Sequence, residues 1–203
     1  DGDADRILIV DENGNILDGD QILFILAKAN ISNKSFNHKV VGTITTNSGL
    51  ESKLKEMNID LYRSEVGDKN VYSMMKKIGA IIGGESSGHI INSEYSPTGD
   101  ALLTGLIIIR ESIKQNSKIS DLVDDLELLP VLNETFDTEN MPEINENKLK
   151  ELADRINSEN KGGRVIIRPS GTEPVIRISI ENKDQKTTMH ILETIRKNIK
   201  ESG

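Results

Sequence analysis

The sequence predicts an α/β protein: a layered α/β domain with a mixed, partly parallel sheet, followed by a small α+β domain. Three observations carry this. Short β-branched apolar runs alternate with amphipathic stretches of helical period as far as residue 116, the pattern of strands joined by crossover helices. From residue 131 the order changes to strand, helix, two strands in succession and a closing helix. The chain has 203 residues, 3% aromatics and no Trp, so it has room for two modest cores, and those cores must rest on Ile, Leu and Val.

Taken in order, ILIVDENGNIL (7–17) reads as a strand, a turn on Asn13-Gly14 and a returning strand. Asp18 and Asp20 give an acidic first turn to the helix QILFILAKAN. HKVVGTITT (38–46) is a β-branched strand, and Asn47-Ser48-Gly49 turns and caps the helix LESKLKEMN. DLYRSEV is the next strand, and VGDKN leads into the helix VYSMMKKIG. AIIGG (80–84) is a short buried strand ending on two glycines, followed by the loop ESSGH, the strand HIINS and a loop through Pro97 and Gly99. DALLTGLIIIRESIKQN (100–116) is a long helix. SKISDLVDDLELLP reads as a short acidic helix ending at Pro130 and serving as a connector. Beyond it come the strand VLNETFD, a Pro- and Asn-containing stretch, the helix NKLKELADRINS (147–158), the strands GGRVIIRPS and TEPVIRISIEN, and a helix from Lys186 to Lys200.

Bulk properties narrow the function. A formal net charge of -8 argues against a nucleic-acid partner, because binding a phosphate backbone needs clustered Lys and Arg. A small phosphorylated ligand needs only a local basic pocket and stays allowed. With no cysteine there is neither a disulfide nor a thiolate metal site, and a cytoplasmic location is favoured. The longest apolar run, near Leu102 to Ile109, is broken by Thr104 and Gly105 and is too short to span a bilayer, so no membrane partner is expected. No signal-peptide pattern opens the chain, and a start inside the charged motif DGDADR reads as a piece of a longer protein.

Three loops carry residues suited to chemistry. In DGDADR, Asp1, Asp3 and Asp5 alternate, so their carboxylates can converge on one hard cation, and Mg²⁺ suits such an oxygen set. A calcium EF-hand also wants oxygens at these positions and a Glu at position 12, which Glu12 supplies. However, Arg6 occupies the position that needs Gly, and a strand-like ILIV follows where a helix should. A solvated acidic terminus is the plain alternative. In GGESSGH (83–89), Glu85, Ser87 and His89 alternate behind two glycines, and a carboxylate, a hydroxyl and an imidazole together suit sugar hydroxyls. The alternative is an ordinary Gly-Ser turn with His89 as a cap. In RPSGTEP (168–174), Pro169 fixes the entry and Gly171 permits a tight turn; the hydroxyls of Ser170 and Thr172 and the backbone N–H groups can then ring an oxyanion. Arg168 and Arg177 add planar bidentate donors, and in an acidic chain their bracketing of the loop points to phosphate. A hairpin with exposed arginines is the alternative.

Together and in this order, DGDADR, GGESSGH and RPSGTEPVIR resemble the α-D-phosphohexomutase superfamily, and within it most closely the bacterial phosphoglucosamine mutases; the resemblance spans nearly the whole chain. It implies a four-domain enzyme whose phosphoserine donates its phosphoryl group to a hexosamine phosphate, gives a bisphosphate that reorients, and takes the other group back. It implies that Asp1, Asp3 and Asp5 ligate Mg²⁺ and that Arg6 sits beside the transferring phosphate as the catalytic residue in this chain. Glu85, Ser87 and His89 would hold the sugar, and Arg168, Ser170, Gly171, Thr172 and Arg177 the phosphate that does not react. Gly67, Asp68 and Lys69 are further candidates, from a family loop that more often carries Arg-Tyr where Lys69-Asn70 stands. Ser86 replaces a common Gln, and Ala101 stands where Gly is frequent.

The family's serine loop, a Ser-His pair followed by Asn-Pro, has no counterpart here. The expected division is therefore a stub of the preceding metal-loop domain (1–6), an α/β sugar-binding domain (7–118), a linker (119–130) and an α+β phosphate-binding domain of the phosphohexomutase C-terminal type (131–203). The missing N-terminal domains would be its partner, and the isolated chain would be inactive. Glucose or mannose phosphate in place of the hexosamine, and a non-catalytic phosphosugar-binding module, are the alternative readings. An aspartyl-phosphate hydrolase using Asp1 or Asp3 is disfavoured, because Arg6 and the strand after it do not fit a nucleophile loop leading into a helix.

Overall fold

A computed structural model describes residues 2–138, 146–160, 163–171 and 173–201. The chain divides into two compact units, Asp1–Leu128 and Leu129–Gly203. In the first, a short antiparallel hairpin of β1 (Ile9–Val10) and β2 (Ile16–Leu17) leads into α1 (Gly19–Asn30). There follow β3 (Lys39–Thr43), α2 (Ser48–Glu56), β4 (Asp60–Ser64), α3 (Asp68–Ile78), β5 (Ile82–Gly84), β6 (Ile90–Asn92) and α4 (Ala101–Gln115). The four-stranded sheet has the order β4-β3-β5-β6. β3 pairs in parallel with β4 and β5, and β6 returns antiparallel on β5, so the sheet is mixed as expected.

Strand period two sends neighbouring residues to opposite faces. Val40 joins a core with Phe24, Leu50 and Ile108 from α1, α2 and α4, whereas the next residue, Val41, packs with Val71 and Met75 of α3. Three layers result. α1 sits deepest: Ile22 to Ala27 are all buried, which is why its sequence is apolar nearly all round. Its start is fixed by Asp18, whose side chain accepts from the N–H groups of Asp20 and Gln21, while Gln21 accepts from the N–H of Asp18, completing a capping box.

Several boundaries differ from the sequence reading. β3 stops at Thr43 because its N–H donates to the Thr46 hydroxyl, and Thr46 N–H returns to Thr43 O, closing a turn. α3 starts at Asp68 rather than Val71, since Gly67, at φ 117, ends the preceding segment. The segment read as an acidic helical connector contains only a 3-10 turn, Ser120–Leu122. Its Leu122, Val123, Leu126 and Leu128 pack on the core of the first unit, and that packing overrides the helical pattern.

The second unit contains β7 (Val131–Asp137), α5 (Glu146–Glu159), β8 (Gly163–Pro169), β9 (Val175–Asn182) and α6 (Gln185–Glu201). Its sheet is antiparallel in the order β7-β9-β8. Ile176, Ile178 and Ile180 alternate inward from β9 and meet Leu152 and Ile156 of α5 and Leu192 and Ile195 of α6. Most of the Pro- and Asn-containing stretch before α5 lies outside the described residues.

Candidate functional site

In the first unit the GGESSGH loop joins the antiparallel pair β5 and β6. Gly88 N–H donates to Glu85 O at 3.0 Å and Glu85 N–H to His89 O at 3.0 Å, which closes the turn. Gly88 has φ +91, and a Cβ there would stand 2.0 Å from Ile7 O, so both conformation and space demand glycine. The loop is clasped from two sides. Ile7 N–H donates to Gly88 O at 3.1 Å, and Gly19 N–H, at the start of α1, donates to Ser86 O at 3.0 Å.

Two of the three side chains expected to hold a sugar are tied to other candidate segments. Glu85 Oε1 accepts from Gly67 N–H at 2.9 Å, which brings the 67–69 segment to this loop. His89 is buried, with Nδ1 3.2 Å from Asp5 Oδ2. Ser87 is exposed at the tip of the turn. Arg6 forms an isolated antiparallel bridge with His89, and its Nε lies 3.6 Å from Asp5 Oδ1. The motifs DGDADR, VGDKN and GGESSGH, far apart in sequence, therefore meet around one turn at the end of β5.

Gly99 seals this meeting. A Cβ there would fall 2.6 Å from the imidazole Nε2 of His89 and 2.7 Å from Asp5 O. The next residue, Asp100, caps α4 by accepting from Leu103 N–H at 2.8 Å, and Ala101 N–H donates to Ala4 O at 2.9 Å. In the sequence Gly99 reads only as a loop glycine. Its place in the Thr98-Gly99-Asp100 run, just before a cap, was the available signal.

Two buried atoms here, Asp5 Oδ1 and His89 Nε2, have no hydrogen-bond partner among the described residues. A buried polar atom left unsatisfied is costly, and functional sites are where such atoms persist. Asp3 is exposed, and Asp1 lies outside the described residues. Among the described residues, no group of three His, Asp or Glu side chains is arranged to hold a metal ion.

In the second unit Arg168 of β8 and Arg177 of β9 are directly paired across the strands, one step from the paired Ile167 and Ile178. Those isoleucines point into the core, so period two places both arginines on the face away from α5 and α6. Like charges directly opposed destabilise a sheet unless an anion joins them. Glu173 partly meets this need, its carboxylate accepting from Arg177 at 2.7 Å. Ser170 N–H donates to Val175 O at 2.8 Å to hold the loop's base, and Gly171 is exposed with open space around its Cα. Thr172 lies outside the described residues. The sequence alone assigns Glu173 no role, although it places this acid four residues before Arg177.

A family model described as phosphoglucomutase/phosphomannomutase, alpha/beta/alpha domain III, matches residues 18–128, and the model of the C-terminal domain of the same family matches residues 131–198. The phosphoglucosamine mutase of Thermotoga neapolitana is 41% identical over 196 residues, covering 96% of this chain and 45% of its own length. That of Tropheryma whipplei is 40% identical over 208 residues, covering 100% of this chain and 46% of its own. The chain thus spans less than half the length of these relatives. The crystal structure of Aspergillus fumigatus N-acetylphosphoglucosamine mutase, in complex with GlcNAc-6P and magnesium, superposes with a TM-score of 0.75 at 19% identity, covering 98% of this chain and 51% of that one.

Proposed function

This chain belongs to the phosphoglucomutase/phosphomannomutase family, carrying its domain III and its C-terminal domain, and we propose that in the full-length protein it binds the sugar phosphate of a phosphoglucosamine mutase. The full-length enzyme would interconvert glucosamine 6-phosphate and glucosamine 1-phosphate in the cytoplasm, supplying aminosugar for cell-wall precursors. The observation that carries this reading is the meeting of Asp5, Arg6, Gly67, Glu85 and His89 around one turn. The names of relatives at about 40% identity support the choice of hexosamine over glucose or mannose phosphate.

In this reading Glu85 and Ser87 hydrogen-bond the sugar hydroxyls and His89 completes the grip. Arg6 faces the phosphoryl group in transfer, which comes from a phosphoserine outside this chain. Arg168, Ser170, Gly171, Thr172 and Arg177 clamp the remote phosphate, which orients the substrate and raises its effective concentration. Gly67, Asp68 and Lys69 are further substrate contacts of the first unit. Because the bisphosphate intermediate has a phosphate at each end, one remote clamp serves both orientations. Asp1, Asp3 and Asp5 would hold Mg²⁺, and the buried Oδ1 of Asp5, which accepts no hydrogen bond among the described residues, suits a hard cation. Bound there, Mg²⁺ neutralises charge on the phosphoryl group being moved.

The test is turnover. Phosphorus NMR of the full-length protein with glucosamine 6-phosphate and Mg²⁺ is expected to show glucosamine 1-phosphate forming, faster than the corresponding reactions of glucose or mannose 6-phosphate. The 203-residue chain alone is expected to show none. Turnover by the isolated chain, or a full-length protein that prefers another sugar, would contradict the assignment.

A further inference from the structure

α4 is apolar on two sides. One side is buried through Ile107 and Ile108. The other carries Leu102, Leu106, Ile109 and Ile113, which are 75%, 66%, 51% and 74% exposed. Their spacing of four, three and four residues aligns them in a single stripe along the helix. A helix that is hydrophobic all round belongs in an interior. The β1–β2 hairpin repeats the pattern: Ile9 and Leu17 face the core, while Leu8, Val10 and Ile16, 59%, 59% and 62% exposed, stand on the outer side. A two-stranded hairpin is marginal in water alone, and patches of this kind mark interaction surfaces.

We infer that the stripe on α4 and the outer face of the β1–β2 hairpin are the docking surface for the polypeptide that precedes Asp1 in the full-length protein. This rests on reading the chain as the C-terminal part of a longer mutase. Three observations select that occupant. The relatives are more than twice as long as the segment they share with this chain. The domain III model begins at residue 18, so the hairpin lies ahead of the matched domain although it is folded onto it. The entering chain also follows α4: Ala4 O accepts from Ala101 N–H, and Ile7 Cδ1 lies 3.1 Å from where a Cβ on Gly105 would stand. The chain entering at Ala4 therefore runs beside the first turns of the striped helix.

Hydroxyl-radical footprinting, read by mass spectrometry with a reporter peptide as the dose standard, compares the full-length protein with the 203-residue chain at matched, dilute concentration. Leu8, Val10, Ile16, Leu102, Leu106, Ile109 and Ile113 are expected to label several-fold more slowly in the full-length protein. Equal labelling in the two overturns the inference. So does labelling of the shorter chain that is already slow, or that slows as its concentration rises, which would assign the surface to contacts within the chain or to a second copy. A full-length protein with mutase activity whose seven side chains still label freely removes the docking surface and leaves the function standing. A native reading frame with nothing before Asp1 removes both.

Discussion

At the scale of single residues, the candidate site is held together by contacts that the sequence does not announce. Asp5, Glu85 and His89 could be picked out as chemical types, but the contact of Asp5 with His89 spans 84 positions and that of Glu85 with Gly67 spans 18, so both depend on how the backbone folds. Gly99 is the sharpest case. Placing Ala there puts a methyl group against the imidazole of His89 and the backbone of Asp5, so G99A is expected to cost about 1–3 kcal/mol by overpacking. Urea unfolding of the first unit checks this, and an unchanged midpoint would contradict it.

Carboxyl groups at two turns give a pH signature at the same scale. The Asn15 side chain holds the Asp11 carboxyl below its ordinary range, and the Thr187 hydroxyl does the same for Asp184. A group whose folded pKa is depressed stabilises the fold above its unfolded pKa, and that stability is lost as pH falls through the folded value. Stability of the native chain should therefore fall below the ordinary aspartate range, more steeply than in a D11N/D184N double variant. Parallel curves of unfolding free energy against pH would contradict this.

At the scale of elements, periodicity made most of the fold legible. The alternation in β9 and the near-continuous apolar run of α1 named their own positions, and Ile176, Ile178, Ile180 and Phe24 are buried as those patterns require. Terminal residues were less legible because hydrogen bonds outside the elements set them: Thr46 cuts β3 short and Gly67 starts α3 early. The segment SKISDLVDDLELLP, 117–130, holds no helix longer than a 3-10 turn because its apolar residues answer to the neighbouring core and not to a helix of their own. Two substitutions separate cap from core. Losing the Asp100 cap of α4 in D100A should cost about 1 kcal/mol. I180A, in a fully buried β9 position, should cost about 2–5 kcal/mol. Calorimetric unfolding checks both, and a cap loss as large as the core loss would contradict the assignment of roles.

For the whole molecule, the candidate residues fall into two sets on two units. The sugar and metal set belongs to the first and the arginine pair to the second. Each set was legible as a motif in the sequence, whereas the pairing of Arg168 with Arg177 follows from strand register, which a motif does not state. The arginine face of the second unit is proposed to bind the phosphate of a sugar. Calorimetric titration of the chain with glucosamine 6-phosphate, beside an R168A variant and with glucose and mannose 6-phosphate for comparison, tests it most directly. Saturable binding is expected, strongest for glucosamine 6-phosphate and weakened by about 1.5–3 kcal/mol in the variant through loss of a charge-assisted hydrogen bond. Binding that R168A leaves unchanged would contradict it.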